Sequence, residues 1–190
     1  FTYYQNHLGE FLAIWNGGLA IYGAMIGGLV AILLFSKARK LDVWHLLDIL
    51  TPSLLLGQAI GRLGNYFNQE LFGKPTNLPW GIPIDPANRP AEFITSQYFH
   101  PTFLYEMILN ILWLLVLLRL SRNQKLADGV VAGAYFVGYG LIRVAMESLR
   151  TDYTPFIFGV RWQMLASFAV IAIGLVILIR QYFKSIEGAE

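Results

Sequence analysis

The chain has 190 residues, 56% hydrophobic and only 14% charged, with no cysteine, a formal net charge of +2 and a mean hydropathy of +0.51. Soluble domains are about 45–50% apolar and about 25% charged, so these figures exclude an ordinary soluble domain, and they exclude intrinsic disorder and collagen as well. A small positive surplus dispersed between apolar blocks excludes a nucleic-acid binder, and the lack of cysteine excludes disulfides, thiolate zinc sites, iron–sulfur clusters and a cysteine nucleophile. The class that remains is all-α: a polytopic transmembrane helical bundle.

The chain opens on Phe1, and no basic segment precedes an apolar one, so no signal peptide is visible and a missing N-terminal portion is expected. A crossing helix needs roughly 20 mostly apolar residues. Five stretches meet that requirement, near 17–35, 43–66, 102–120, 129–147 and 162–180. The second carries Asp48 and Pro52, and the third carries Glu106. The runs are long, rich in leucine and without period-two alternation, which argues against barrel strands. Between the second and third spans lies a loop, 67–101, with Pro75, Pro79, Pro83, Pro86 and Pro90. Proline at that density predicts a rigid cap. The whole chain reads as one membrane domain.

If the spans alternate, eight of the fourteen basic residues fall on one side: Lys37, Arg39, Lys40, Arg119, Arg122, Lys125, Arg180 and Lys184. The positive-inside rule then puts the first residues outside and the C-terminus in the cytoplasm. Trp15, Tyr66, Trp80 and Trp162 suit an outer interfacial belt, and Trp44 an inner one. Trp113, in mid-span, calls for a packing partner.

Charge within an apolar span costs about 2.5–3.5 kcal/mol on insertion scales and needs a reason. Two clusters carry such charge, Gly61 to Glu70 and Gly138 to Arg150. In the second, Tyr139, Arg143 and Glu147 recur every four residues and form one helical stripe, with Arg150 a turn further on. In the first, Arg62 and Asn65 share a face, and Glu70 lies just past the helix end. Both clusters fall at the outer ends of their spans. Two guanidinium groups at headgroup depth suit a phosphodiester, because their planar forks match phosphate oxygens. Glu70 and Glu147 would orient the guanidinium groups. The bland alternative is that Arg62–Glu70 and Arg143–Glu147 are ion pairs that only fix the packing. Glu106 either positions the loop or pairs with an arginine. Asp48 reads as a polar contact between helices. Gly23-x-x-x-Gly27 and Gly57-x-x-x-Gly61 read as close helix approaches. Gly64 and Gly73 could bring backbone near a ligand. Of His7, His45 and His100, none has a partner at zinc spacing, and only His100 lies on the outer side near the long loop and a carboxylate.

Gly61-Arg62-Leu63-Gly64-Asn65-Tyr66-Phe67-Asn68-Gln69-Glu70, followed by Leu71-Phe72-Gly73, resembles the signature of the bacterial prolipoprotein diacylglyceryl transferases. Trp15 to Gly23 is similar to the family's Gly-Gly segment. His100-Pro101-Thr102 with Leu104-Tyr105-Glu106 is similar to its His-Pro motif. Gly138-Tyr139-Gly140 with Arg143, Glu147 and Arg150 is similar to its penultimate-helix motif. The matches run in the family's order across nearly the whole chain.

The resemblance implies an enzyme of the bacterial inner membrane. Such enzymes move the diacylglyceryl group of phosphatidylglycerol onto the lipobox cysteine of a preprolipoprotein, the first step of lipoprotein maturation. It implies that Arg62 and Arg143 are essential, and that Asn65, Glu70, Gly73, Tyr139 and Glu147 are functional, with Arg150 and His100 beside the substrates. Seven spans in the family would make these the last five. Tyr22 stands where many members have a histidine assigned as base. A phenol with a pKa near 10 is a poorer base at neutral pH. Either Tyr22 substitutes, or a carboxylate serves, or the thiol proton goes to the leaving phosphate or water. The reaction implies no metal or organic cofactor. Its partners would be phosphatidylglycerol, the lipobox peptide and membrane lipids, and no nucleic acid. The competing readings are a transporter or lipid translocator, whose charges would line a passage through the midplane, and a non-catalytic scaffold.

Overall fold

The structure, a computed structural model, describes residues 21–151, 156–157 and 159–187. Five helices follow in chain order: α1 (Ile21–Arg39), α2 (Val43–Phe67), α3 (Thr102–Ser121), α4 (Val130–Glu147) and α5 (Trp162–Glu187). Two short antiparallel hairpins join them, β1 (Ile82–Pro83) with β2 (Tyr98–Phe99) and β3 (Phe156–Ile157) with β4 (Val160–Arg161). Four helical stretches among the described residues are long and apolar enough to cross a membrane: α2, α3, α4 and Trp162–Lys184 of α5. The protein is therefore an all-α, multi-pass membrane protein. The first expected span meets α1, and its part before residue 21 lies outside the described residues. The last helix runs seven residues past its expected end, because nothing after Arg180 breaks it and Gln181 is buried.

The chain separates into two compact units, Phe1–Leu46 and Leu47–Glu190. In the first, α1 ends in Lys37 and Arg39, cations suited to the negative end of a helix dipole. Lys40 then takes a left-handed φ of 55°, and the Ser36 hydroxyl donates to the Leu41 carbonyl at 2.6 Å. Asp42 caps the next helix, accepting the backbone N–H groups of Trp44 and His45 at 2.7 and 3.2 Å.

The second unit is organised around α4, with half of its span buried, against about a fifth for α2, α3 and α5. It packs chiefly on α5 and next on α3. The α4–α5 contact is made through small residues. A Cβ on Gly133 would lie 2.9 Å from Leu178, one on Gly174 would lie 2.8 Å from the Gly133 carbonyl, and one on Gly140 would lie 3.0 Å from the Ser167 carbonyl. Backbone thus approaches backbone, as membrane helices do without a hydrophobic drive. The glycine pairs singled out in the sequence behave differently. Among the described residues, a Cβ on Gly23, Gly27, Gly57 or Gly61 meets nothing within 4 Å. The core of this unit joins Leu55 of α2, Leu114 and Leu117 of α3, and Val131, Ala134 and Tyr135 of α4. Mid-span Trp113 has its partner here: its ring lies over Gly138, and its indole N–H donates to the Ala134 carbonyl at 3.2 Å.

That arrangement leaves no room for a side chain at 138. Gly138→Ala drives a methyl into the indole, and overpacking of this kind costs about 1–3 kcal/mol. The expected result is a lower thermal unfolding midpoint in detergent, measured by circular dichroism. A midpoint equal to the parent's would contradict the packing described.

Candidate functional site

α2 buries a face through Thr51, Pro52, Leu55 and Ala59. Continuing that face by three residues reaches Arg62. The helix periodicity that seats Leu55 in the core therefore also turns the guanidinium inward. On α3, Glu106 lies on the buried side with Thr102, Phe103, Asn110, Leu114 and Leu117, and is only 2% exposed. On α4, Arg143 follows Tyr139 by one turn, and Tyr139 stacks on Tyr135 with centroids 5.9 Å apart. The Tyr135 hydroxyl accepts from the Gln58 amide at 2.9 Å, which joins α2 to α4 one turn before Arg62 and two turns before Arg143.

The two arginines meet on one carboxylate. Arg62 Nη2 donates to Glu106 Oε1, and Arg143 Nη1 donates to Glu106 Oε2 at 3.3 Å. Arg143 also lies 3.5 Å from Glu147, which pairs in turn with Arg161 of β4 at 2.9 Å. Among the described residues, these ion pairs bring three guanidinium groups onto two carboxylates. The arginine side chains are 14–20% exposed and the carboxylates 1–3%. A buried pair held this way persists only if each charge has a partner, since an uncompensated charge costs about 3–5 kcal/mol.

The direct Arg62–Glu70 ion pair of the alternative, packing-only reading does not form. α2 ends at Phe67, and the chain turns through left-handed Gln69 (φ 50°) and Leu71 (φ 54°). This turn carries Glu70 onto the amides of Asn65 and Asn68, at 2.9 and 3.3 Å. Glu70 reaches Arg62 only through Asn65, whose Oδ1 accepts from Arg62 Nη1 at 3.2 Å. Asn65 therefore joins carboxylate to guanidinium. Arg143 and Glu147 do pair, at 3.5 Å.

The proline-rich loop has its own small core of Phe72, Ile84 and Phe99. Gln69 braces it through Asp85 and Asn88, and Arg89 through the carbonyls of Ile84 and Ile94. It is stitched to the same helix ends that carry the arginine cluster. Gly73 N–H donates to the His100 carbonyl at 2.8 Å, Lys74 N–H to the Leu149 carbonyl at 2.9 Å, and the Thr102 hydroxyl to the Leu71 carbonyl at 2.6 Å. Gly73 also bridges Arg150 backbone to backbone, and the Arg150 carbonyl accepts from Arg161 at 3.0 Å. These contacts supply a reason for glycine at 73: a Cβ there would lie 2.6 Å from Thr102 and 2.9 Å from the Leu149 carbonyl. Arg150 is buried in the same strip. His100 Nδ1 lies 3.2 Å from the Tyr105 hydroxyl, which also accepts from the Trp80 indole at 2.7 Å. Tyr22 falls in the first turn of α1, and its side chain lies outside the described residues.

Two contributors were not assigned this place from sequence. Glu106 carried a signal, a carboxylate in an apolar span, but the spacing left its partner open. Arg161 carried none, because it joins the cluster only through the β3–β4 hairpin.

Fold and site together define a multi-pass helical membrane protein with two arginines paired on one buried carboxylate near the ends of its helices. The family model for prolipoprotein diacylglyceryl transferase matches residues 1–180. Among the curated relatives that match, three named phosphatidylglycerol–prolipoprotein diacylglyceryl transferase illustrate the similarity. That of Acaryochloris marina is 50% identical over 79% of this chain and 55% of its own length. That of Synechococcus elongatus is 45% identical over 94% and 63%. That of Thermosynechococcus vestitus is 44% identical over 96% and 68%. The chain belongs to the prolipoprotein diacylglyceryl transferase family, and it spans between half and about two-thirds of the length of these relatives.

Proposed function

We propose that the protein of which this chain is part transfers the diacylglyceryl group of phosphatidylglycerol to the lipobox cysteine of preprolipoproteins; its relatives' names give phosphatidylglycerol, prolipoprotein and diacylglyceryl transfer. The observation that carries this reading is the meeting of Arg62 and Arg143, from separate helices, on buried Glu106. The carboxylates hold the guanidinium groups in place, and the planar guanidinium forks match the oxygens of a phosphodiester. In the reaction the substrate sulfur bonds to the glyceryl C3 carbon. The bond from that carbon to the phosphate oxygen breaks, and glycerol phosphate leaves with the electron pair. Arg62 and Arg143 would stabilise charge growing on that phosphate, with Arg161 behind them through Glu147. The acceptor thiol comes from the substrate, in keeping with a chain that has no cysteine.

Asn65 and Glu70 hold Arg62 from the α2 side. Tyr139 and Glu147 on α4, with Arg150 just past its end, belong to the binding wall. The braced loop shields the site from water, Gly73 fixes its attachment, and His100 with Tyr105 borders it. The thiol proton goes to Tyr22, to a carboxylate, or to the leaving phosphate or water. The arginine cluster sits at the extracytoplasmic end and the C-terminus lies in the cytoplasm, on the strength of the basic bias at the opposite ends of the spans. The membrane is the bacterial inner membrane. A transport passage is not favoured, because the ion pairs gather at one end of α2, α3 and α4 rather than along the bundle.

Mass spectrometry tests this directly. A lipobox peptide incubated with the full-length protein and phosphatidylglycerol vesicles is expected to gain one diacylglyceryl group on its cysteine and to release glycerol phosphate. An unmodified peptide with correctly inserted protein would overturn the assignment.

A further inference from the structure

Asp48 is a carboxylate in the first half of α2, far from the arginine cluster. Its oxygens serve another helix. Asp48 Oδ2 accepts the Gly129 N–H at 2.7 Å, and Oδ1 accepts the Ala132 N–H at 2.8 Å. Gly129 is the N-cap of α4, has a φ of 97°, and brings no side-chain cap of its own. A helix start normally has an N-cap side chain bonding the third N–H group. Here that group, on Ala132, is bonded by a residue of α2. The negative charge also sits at the positive end of the α4 dipole.

The placement carries a geometric consequence. Arg62 lies fourteen residues beyond Asp48 on α2, and Arg143 lies fourteen residues beyond Gly129 on α4. The two helices run the same way, since their starts meet at Asp48 and their later residues meet at Glu106. Each arm rises ~21 Å at 1.5 Å per residue. Two equal arms from one anchor deliver both guanidinium groups to the same depth. A slip of one residue would move one arginine ~1.5 Å along the axis and turn it away from Glu106.

We propose that Asp48 is a positioning residue: by capping α4 from α2 it sets the axial register that brings Arg62 and Arg143 level on Glu106. For turnover, the proposal rests on the transferase reading above. Misplacement by about 1 Å costs on the order of 100-fold in rate when geometry governs the transition state.

The test uses full-length protein in phosphatidylglycerol vesicles, with spin labels on cysteines introduced at Leu63 and Leu141, which are 47% and 54% exposed. Any cysteine outside these 190 residues is replaced. The label-to-label distance is read by double electron–electron resonance in the parent, Asp48→Ala and Asp48→Asn. Asn keeps one acceptor oxygen, so its effect falls between the other two and guards against simple misfolding of the alanine variant. The distance distribution is expected to shift or broaden in Asp48→Ala. In parallel, kcat is expected to fall about 100-fold in Asp48→Ala and about 10-fold in Asp48→Asn, with KM for phosphatidylglycerol within roughly threefold. A parental distance distribution in both variants overturns the register role. A shifted distance with parental kcat overturns its link to turnover. If the parent itself forms no thioether, the transferase reading fails, and the distances still decide the register.

Discussion

Glu106→Gln is expected to lower thioether formation by at least about 100-fold. Among the described residues, Glu106 is the one that both arginines bond, and it is almost wholly buried. The amide keeps the shape of the side chain but loses the charge and one acceptor, and it turns an N–H₂ group toward a guanidinium. Breaking a buried ion pair by removing one partner costs about 3–5 kcal/mol, because the other charge is left behind. The arginines then swing toward other acceptors, Arg62 toward Asn65 and Arg143 toward Glu147, and no longer converge. Two measurements check this: the rate of lipobox peptide modification, and the unfolding midpoint, which is expected to fall as well. Glu106→Asp, which keeps the charge on a shorter stem, is expected to recover part of the activity. A glutamine variant as active as the parent would show that the bridge is incidental to the reaction.

Arg143→Lys is the second large effect. Lysine keeps the positive charge but replaces a planar fork with a point charge. Arg143 uses separate nitrogens toward Glu106 and Glu147, at 3.3 and 3.5 Å. A single ammonium cannot hold both and also present paired donors to a phosphate. Near-complete loss of thioether formation is expected, on the order of 100-fold or more, with the protein still inserted and folded. A scaffold in which the ion pairs only lock the helices predicts the reverse, a larger change in stability than in turnover. Parallel peptide-modification and thermal-unfolding measurements separate the two. Full activity in the lysine variant would remove Arg143 from the phosphate clamp.

Much of this architecture was legible from local pattern. Apolar runs of about 20 residues can be satisfied only by helices in a bilayer, because every backbone group must bond within its own segment. The spans at 43–66, 102–120 and 129–147 consequently agree with α2, α3 and α4 to within about a residue. The stripe of Tyr139, Arg143 and Glu147 was equally readable, since helical spacing alone puts them on one face. Asp48, Glu106 and Trp113 were visible as polar or bulky residues out of place, but each owes its role to a partner on another helix. Asp48 caps α4, Glu106 joins two arginines, and Trp113 covers a glycine. The glycines mattered at other places than their spacing suggested. Gly133, Gly140 and Gly174 form the tight helix contact, while Gly57 and Gly61 meet nothing within 4 Å among the described residues. Spacing shows that a face is small, and the neighbouring helix decides whether that face is used.

By itself, the sequence determined the helices, their apolar faces, the proline-rich loop and the presence of arginines near the ends of two spans. Each of these follows from interactions within a few residues of chain or from the cost of placing a polar group in hydrocarbon. Only the tertiary structure decided that Arg62 pairs with Glu106 and not Glu70, that Arg161 enters through a hairpin, and that Asp48 sets α2 against α4. Charge attraction is not selective about which carboxylate a guanidinium meets. The choice falls to the relative depth and rotation of packed helices and to the turn at Gln69 and Leu71, which bring residues far apart in the chain within bonding distance.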